Sequence, residues 1–266
     1  MISSMKDAFS AEGKNVFITG GHSGIGLGIS RAFAEMGANV ILMGRRTEVG
    51  EDVCAGIEKD FGVKARFYTG DLTVKGDPER IVEEAFAEFG SIDVLVNNSG
   101  LVRWFESIEA DKNDFADWHD VIGLDMTAVF TMSVFVAKKM RETGGGVIIN
   151  ITSNSGEIVN TPQTTVSYSA SKAGVNHMTR MLAHEWAQYG IRVNAVAPGY
   201  TESKLGAAQD PVVYAKCNEY WMEHTPTHRR NKPIEIAAAV VYLASEAAEQ
   251  VTGEILTVDG GYKLAN

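Results

Sequence analysis

Cysteine is nearly absent: Cys54 and Cys217 are the two the chain has. Their spacing fits neither a metal motif nor a disulfide framework, so they read as buried or half-exposed free thiols of a reducing compartment. Positive charge is also short, with 24 lysines and arginines against 34 aspartates and glutamates and a formal charge of −10. That balance argues against nucleic acid or an anionic membrane as partner, since both want basic patches. It leaves room for a phosphorylated small molecule, which a few local cations can hold. No stretch approaches the ~18 apolar residues of a membrane span. The opening "MISSMKDAFSAEGKNVFITGG" has no cleavage-site pattern. A soluble, cytoplasmic protein is expected. No linker, low-complexity tract or repeat divides the 266 residues, so residues 1–266 are read as a single domain.

What is present is a rhythm. Short apolar runs at 15–19, 39–43, 64–69, 92–98, 146–152, 191–198 and 254–260 alternate with amphipathic stretches at 25–36, 47–61, 77–89, 112–141, 167–189 and 234–247. Continuous apolar runs are the mark of parallel strands covered on both faces. Several helical stretches end on a glycine before the next strand, in "EMGAN", "DFGVK", "EFGSI" and "QYGIR", where a left-handed residue stops a helix. The pattern predicts an α/β fold, a doubly wound parallel sheet of about seven strands with helices on both faces. Two polar, turn-rich stretches interrupt it, roughly 153–167 and 199–228. Both follow strands, where an open α/β sheet binds its ligands.

The first strand runs into "TGGHSGIG" at 19–26 and then a helix. Gly20 permits a tight turn, Gly24 lets backbone N–H groups approach a pyrophosphate, and Gly26 lets helix and strand pack closely. A glycine-rich turn without ligand is the bland alternative, but the placement between first strand and first helix favours a dinucleotide. The second strand ends "NVILMGRR". Where NAD binding calls for a carboxylate, Gly44, Arg45 and Arg46 stand instead. A guanidinium can take a 2′-phosphate through paired charge-assisted bonds, so the expected cofactor is NADP(H), held mainly by Arg45 with Arg46 and Ser23 helping.

Together with "GDL" (70–72), "NNSG" (97–100), "INITS" (149–153), "YSASK" (168–172), "RVNAVAPG" (192–199) and "VTGEILTVDGGY" (251–262), these residues resemble the short-chain dehydrogenase/reductase family, over essentially the whole chain. The resemblance implies a Rossmann fold, with Asp71 on the adenine, Asn97 stabilising the central strand and Gly199 bordering the nicotinamide. It also puts Ile25, Leu72, Asn98, Gly100, Pro198 and Thr201 along the cofactor. Finally, it implies a Ser–Tyr–Lys catalytic set usually completed by an asparagine, and a homotetramer built on the helices 112–141 and 167–189. Amphipathicity alone would equally suit burial of those helices against the sheet.

Tyr168 and Lys172 lie one helical turn apart and could be an ordinary surface pair. The chemistry is the better account. Hydride transfer between nicotinamide and a carbonyl carbon leaves a proton to be handled at oxygen, and a phenol with a reference pKa near ~10 needs nearby cations to serve. Tyr168 is therefore the expected acid/base, with Lys172 its tuner and ribose ligand. Ser153 is expected to bond the substrate oxygen, with Ser155 further out, although the spacing to Tyr168 also admits Ser155. Asp125 stands where the family carries its asparagine, either as a tolerated exchange or as a subgroup marker. Asp125, "GEIVNTPQ" (156–163) and the stretch 176–200 resemble microbial polyol dehydrogenases and ketose reductases, such as NADP-dependent mannitol dehydrogenases and sorbose reductases.

Over the substrate, the expected residues are Leu101, Val102, Arg103, Trp104, Glu157, Asn160, Gln163, Tyr200, Ser203, Tyr214 and Trp221. Glu157, Asn160 and Gln163 are candidates to bond polyol hydroxyls. His177 and His184 read as structural, and no metal is indicated. The reaction expected is NADP(H)-dependent exchange of a secondary alcohol and a ketone on a small sugar-like substrate. A 3-oxoacyl-thioester, sugar-acid or steroid/xenobiotic carbonyl reductase remains the alternative among enzymes, and a dinucleotide-sensing binding protein the alternative outside them.

Overall fold

The structure, a computed structural model, describes residues 4–203, 205 and 211–265. Parts of the excursion 199–228 therefore lie outside the described residues. The strands β1 (Asn15–Thr19), β2 (Asn39–Gly44), β3 (Ala65–Thr69), β4 (Val94–Asn97), β5 (Gly146–Ile151), β6 (Ile191–Pro198) and β7 (Ile255–Val258) form one sheet in the order β3-β2-β1-β4-β5-β6-β7. Every pairing is parallel. Each lies within one or two residues of its expected run at either end. The strand order reverses between β1 and β4, so their C-terminal ends open a crevice at the switch point.

Alternate residues of each strand feed two cores. Val16, Ile18, Val40 and Leu42 meet α2 (Gly24–Glu35), α3 (Thr47–Phe61) and α9 (Pro233–Ala244) through Ile29, Phe33, Ile57 and Val240. Phe17, Ile41 and Leu95 face the other way, onto α4 (Asp77–Phe89), α6 (Ala128–Thr143) and α7 (Val166–Trp186) through Ile81, Met132, Val136 and Leu182. Both faces being covered explains why the strand runs are apolar without alternation. The four expected helix stops are left-handed, with φ of 87° at Gly37, 71° at Gly62, 78° at Gly90 and 71° at Gly190. A short first helix, α1 (Met5–Ala8), precedes the sheet.

Three features depart from expectation. The stretch 112–141 is not one helix: α5 (Ala116–Ile122) passes into a π-helical turn, Gly123–Thr127, before α6, and Asp114 and Phe115 ahead of it have positive φ. A widened i→i−5 turn is a frequent mark of functional sites and has no local sequence signature. The excursion after β6 contains an unforeseen helix, α8 (Pro211–His224). Contrary to the expectation that nothing approached a membrane span, the helical run Ala116–Thr143, π turn included, is long and apolar enough to cross a membrane by length and composition. Its Met132, Val136 and Met140 are buried against the sheet, which accounts for the apolar character. Both cysteines are buried free thiols.

A polar ladder ties the centre of the sheet to the helices beneath it. Asn97 Nδ2 donates to Asn150 Oδ1 at 2.9 Å and Ser133 Oγ at 3.0 Å, and Asn150 Nδ2 donates to Thr179 Oγ1 at 2.9 Å. All four residues are buried. Replacing Asn97 by alanine strands two buried acceptors, so Asn97→Ala should lower the unfolding free energy by about 1–3 kcal/mol. Urea titration read by tyrosine and tryptophan fluorescence checks this; an unchanged midpoint would deny the ladder its structural role.

Candidate functional site

The crevice is braced first. Thr19 Oγ1 at the end of β1 accepts from the backbone N–H groups of Asn98 and Ser99, at 3.0 and 3.1 Å, and Asn98 Nδ2 donates to Thr19 O at 2.9 Å. The next residues turn into α2. Gly24 sits at φ 53°, and a Cβ on Gly26 would meet Gly20 O at 2.4 Å. Ser23 precedes the helix without a side-chain cap bond, and no acid lies in the first turn. The leading N–H groups and the positive end of the helix are thus left for an anion, and the loop backbone forms a cradle suited to a pyrophosphate. Beyond β2, Arg45 Nη1 lies 3.6 Å from Asp71 Oδ2. Asp71 also accepts from Thr73 N at 2.9 Å and Thr73 Oγ1 at 2.7 Å. These bonds and Arg45 outweigh burial and hold its carboxyl below the usual carboxylate range. On the other side of the crevice, Pro198 closes β6, Gly199 packs against Asp259, and Thr201 Oγ1 donates to Gly199 O at 3.0 Å.

At the ends of β4 and β5 the predicted catalytic side chains come together. Lys172 is buried on α7, its Nζ donating to Ile151 O at 3.2 Å and lying 3.1 Å from Asp125 Oδ2. Asp125, wholly buried on the π turn, accepts the Leu101 N–H on Oδ1 at 2.7 Å. Lys172 Nζ is 5.4 Å from the centre of the Tyr168 ring. Ser153, just past β5, has its Oγ accepting from Ser155 N at 3.1 Å and acts to lower the Tyr168 pKa. Ser155 instead takes the Asn160 amide, at 2.5 Å. Ser153 is thus the serine that bears on the phenol, while Ser155 is engaged by Asn160.

Of the cations expected to lower the phenol, the chain itself supplies Lys172, and that one alone does not bring it below its ordinary value. Burial raises the Tyr168 pKa; Lys172 pulls it down, Asp125 pushes it up, and Ser153 lowers it, with the balance above the ordinary value. For Lys172, burial alone would lower the pKa, but Asp125 and Tyr168 more than offset that and keep it an ammonium. The chain's own groups hold a protonated phenol beside the Lys172–Asp125 pair, in which burial raises the Asp125 carboxyl while Lys172 and the Leu101 N–H pull it down.

Comparison with known proteins settles the family. A family model described as enoyl-(acyl carrier protein) reductase matches residues 20–263. The galactitol 2-dehydrogenase (L-tagatose-forming) of Cereibacter sphaeroides is 41% identical over 261 residues, covering 97% of this chain and 98% of that protein. A crystal structure of a short-chain type dehydrogenase/reductase from Mycobacterium marinum superposes with a TM-score of 0.91 at 33% identity, covering 97% of this chain and 99% of that one. This chain belongs to the short-chain dehydrogenase/reductase family. It is an oxidoreductase of the family's CH–OH-acting kind. A gluconate 5-dehydrogenase from Burkholderia cenocepacia, solved in complex with NADP and tartrate, is 33% identical with a TM-score of 0.90, covering 99% of this chain and all of that chain (100%).

Within this member of the short-chain dehydrogenase/reductase family the polar residues expected over the substrate make bonds to the chain itself. Glu157 pairs with Lys263 at 2.8 Å. Asn160 is buried and donates to Asn154 Oδ1 at 3.2 Å as well as to Ser155. Gln163 donates to Tyr200 OH at 3.0 Å and accepts from Trp221 Nε1 at 2.9 Å. All three spend polar groups on the chain itself, because a loop that folds back over the site must satisfy its own amides. Tyr200 stacks on Trp221, ring centres 4.2 Å apart, and Trp104, Tyr214 and Tyr262 pack edge-on around this pair. Arg103 turns aside to Asp117 at 3.4 Å. Ser203 is half-buried, and His177 and His184 are exposed on α7. No cluster of three potential metal ligands occurs among the described residues. Two contributors went unread in the sequence: the Leu101 N–H that orients Asp125, and His22 inside the glycine loop. The first is a backbone group without signature; the second is a large side chain where the motif needs only small ones.

The Asp125 charge has a direct consequence. Asp125→Asn removes the carboxylate that holds the Tyr168 phenol up while leaving Lys172 in place, so the Tyr168 pKa falls. Difference absorbance near the tyrosinate band, with Tyr168→Phe as subtraction control, reads it; an unmoved transition would mean the carboxylate does not reach the phenol.

Proposed function

We propose that this oxidoreductase is NADP(H)-dependent and interconverts a polyol and its ketose, with Tyr168 as the acid/base. The observation that carries the reaction is the grouping of half-buried Tyr168 with buried Ser153, Lys172 and Asp125 at the mouth of the crevice beside the empty-handed start of α2. The cofactor reading is supported by the arginines after β2, where no acid stands to repel a 2′-phosphate, and by the NADP held by the gluconate 5-dehydrogenase relative. The substrate reading is supported by the name of the galactitol 2-dehydrogenase relative, a polyol-to-ketose enzyme.

In this scheme the N-terminus of α2 and its glycine loop hold the pyrophosphate, Arg45 and Arg46 the 2′-phosphate, and Lys172 the ribose. The bound nicotinamide supplies or receives the hydride. Tyr168 delivers its proton to the carbonyl oxygen during reduction and recovers one during oxidation. The Ser153 hydroxyl donates to the same oxygen as negative charge develops there. Lys172 favours the phenolate left behind, and Asp125 fixes Lys172 in place. The half-buried rings of Trp104 and Tyr200, backed by buried Trp221, form an aromatic wall for the C–H side of a carbon chain. Exposed Phe130 on α6 and Met181 on α7 support the homotetramer that the family implies.

Tyr168→Phe should lower kcat by about 10²–10⁴-fold, the usual worth of general acid/base catalysis. Dinucleotide affinity, measured by fluorescence titration, should stay within a few-fold. More than a tenth of wild-type turnover would overturn the assignment. A panel following NADPH absorbance should show reduction of an open-chain ketose such as tagatose, fructose or sorbose in preference to acetoacetyl thioesters or steroids. Strong activity on the latter with none on any ketose or polyol would reject the substrate class.

A further inference from the structure

One buried titratable side chain has no part in the chemistry above. His22, 8% exposed, lies between Gly21 and Ser23 in the loop from β1 to α2. Phe67 of β3 meets its ring edge-on, with centres 5.5 Å apart at 88°. Gly44 at the end of β2 lies against it so closely that a Cβ there would be 2.5 Å from His22 Cε1. Its Nε2 accepts a hydrogen bond from Arg46 Nε at 3.3 Å. Accepting there requires a neutral ring with its proton on Nδ1. Burial, and then the Arg46 charge, lower the His22 pKa and keep the ring neutral. Nδ1 is buried with no partner among the described residues, so a large ring has been placed in a glycine loop without an obvious packing need for its polar atoms.

The two arginines after β2 are not equivalent. Arg45 is 77% exposed along its side chain and leans toward Asp71, whose carboxylate offsets its charge. Arg46 has no carboxylate within ion-pair distance among the described residues. Its single tether is a neutral acceptor on Nε, which leaves the two terminal nitrogens and the full charge available. His22 belongs to the same loop as the anion cradle, so the tether draws Arg46 toward the phosphates, whereas Arg45 is drawn toward the next strand's end. A guanidinium held through Nε with its outer fork free is prepared for bidentate binding of a phosphate.

We propose that His22 is a specificity-determining positioning residue, whose imidazole holds Arg46 as the principal ligand of the 2′-phosphate, with Arg45 in the lesser role. This rests on the NADP(H) reading and reverses the order of the two arginines expected from sequence. Preorganisation is the physical gain: the arginine is oriented before the phosphate arrives, so less side-chain freedom is lost on binding.

The test is isothermal titration of the full-length protein with NADP+, NAD+ and 2′,5′-ADP. Arg46→Ala should weaken NADP+ and 2′,5′-ADP by about 10- to 100-fold, and Arg45→Ala by less than about fivefold, given the worth of a hydrogen bond to a charged group. His22→Leu should weaken both 2′-phosphorylated ligands by about five- to tenfold and NAD+ by no more than about twofold, as expected when preorganisation alone is lost. His22→Gln, whose carbonyl oxygen can accept from Arg46 Nε, should recover most of the loss. Equal weakening of NADP+ and NAD+ by His22→Leu would make the residue merely structural and overturn the proposal. So would an unchanged NADP+/NAD+ ratio, or a larger effect at Arg45 than at Arg46. A wild-type protein that binds NAD+ as tightly as NADP+ would instead refute the cofactor reading itself, and this inference with it.

Discussion

An ammonium enclosed in protein is the constraint around which the site is arranged. Lys172 cannot stay charged away from water unless partners replace its hydration, and removing one member of such a buried pair costs about 3–5 kcal/mol. Three separate parts of the chain meet that need. The carbonyl of Ile151 comes from β5, the carboxylate of Asp125 from the π turn, and the Tyr168 ring from one turn earlier on α7. Asp125 in turn is held by the Leu101 N–H, which fixes the chain just after β4. The lysine thereby connects the switch point of the sheet to both long helices.

A carboxylate at this point changes the character of the cluster. A neutral amide would satisfy the geometry without adding charge; Asp125 adds a negative charge that steadies Lys172 and opposes ionisation of Tyr168. Burial acts on the phenol in the same direction. The chain by itself is therefore arranged as a proton donor, and phenolate has to be favoured by whatever positive charge joins the site. The same economy appears at the phosphate end, where a neutral imidazole orients Arg46 without diminishing its charge.

The loops proposed to face the substrate are built from mutual satisfaction rather than from free polar groups. Gln163 is shared between Tyr200 and Trp221, Asn160 between Asn154 and Ser155, and Glu157 is paired with Lys263. These bonds join the loop after β5 to the helix after β6 and to the C-terminal segment. On the proposed reading, the shape and aromatic faces of this wall rather than loose amides define what it receives.

Much of this was legible in the residues alone. Seven apolar runs, the glycines that end helices and the motif between β1 and α2 specified a doubly wound sheet, because burial on both faces and left-handed stops leave local marks. The pairing of Tyr168 with Lys172 was legible for the same reason, since helical geometry alone sets residues four apart on one face. The tertiary structure decided the rest. That Asp125 faces Lys172 depends on a π turn with no local signature and on strand order bringing β4 beside β5. That Glu157, Asn160 and Gln163 are occupied, and that Arg46 is held by His22, depends on partners distant in the chain. The apolar stretch Ala116–Thr143 resolves in the same way, as a helix buried on a sheet. Periodicity reports which residues are buried; the partner each meets is fixed by the order in which the strands assemble.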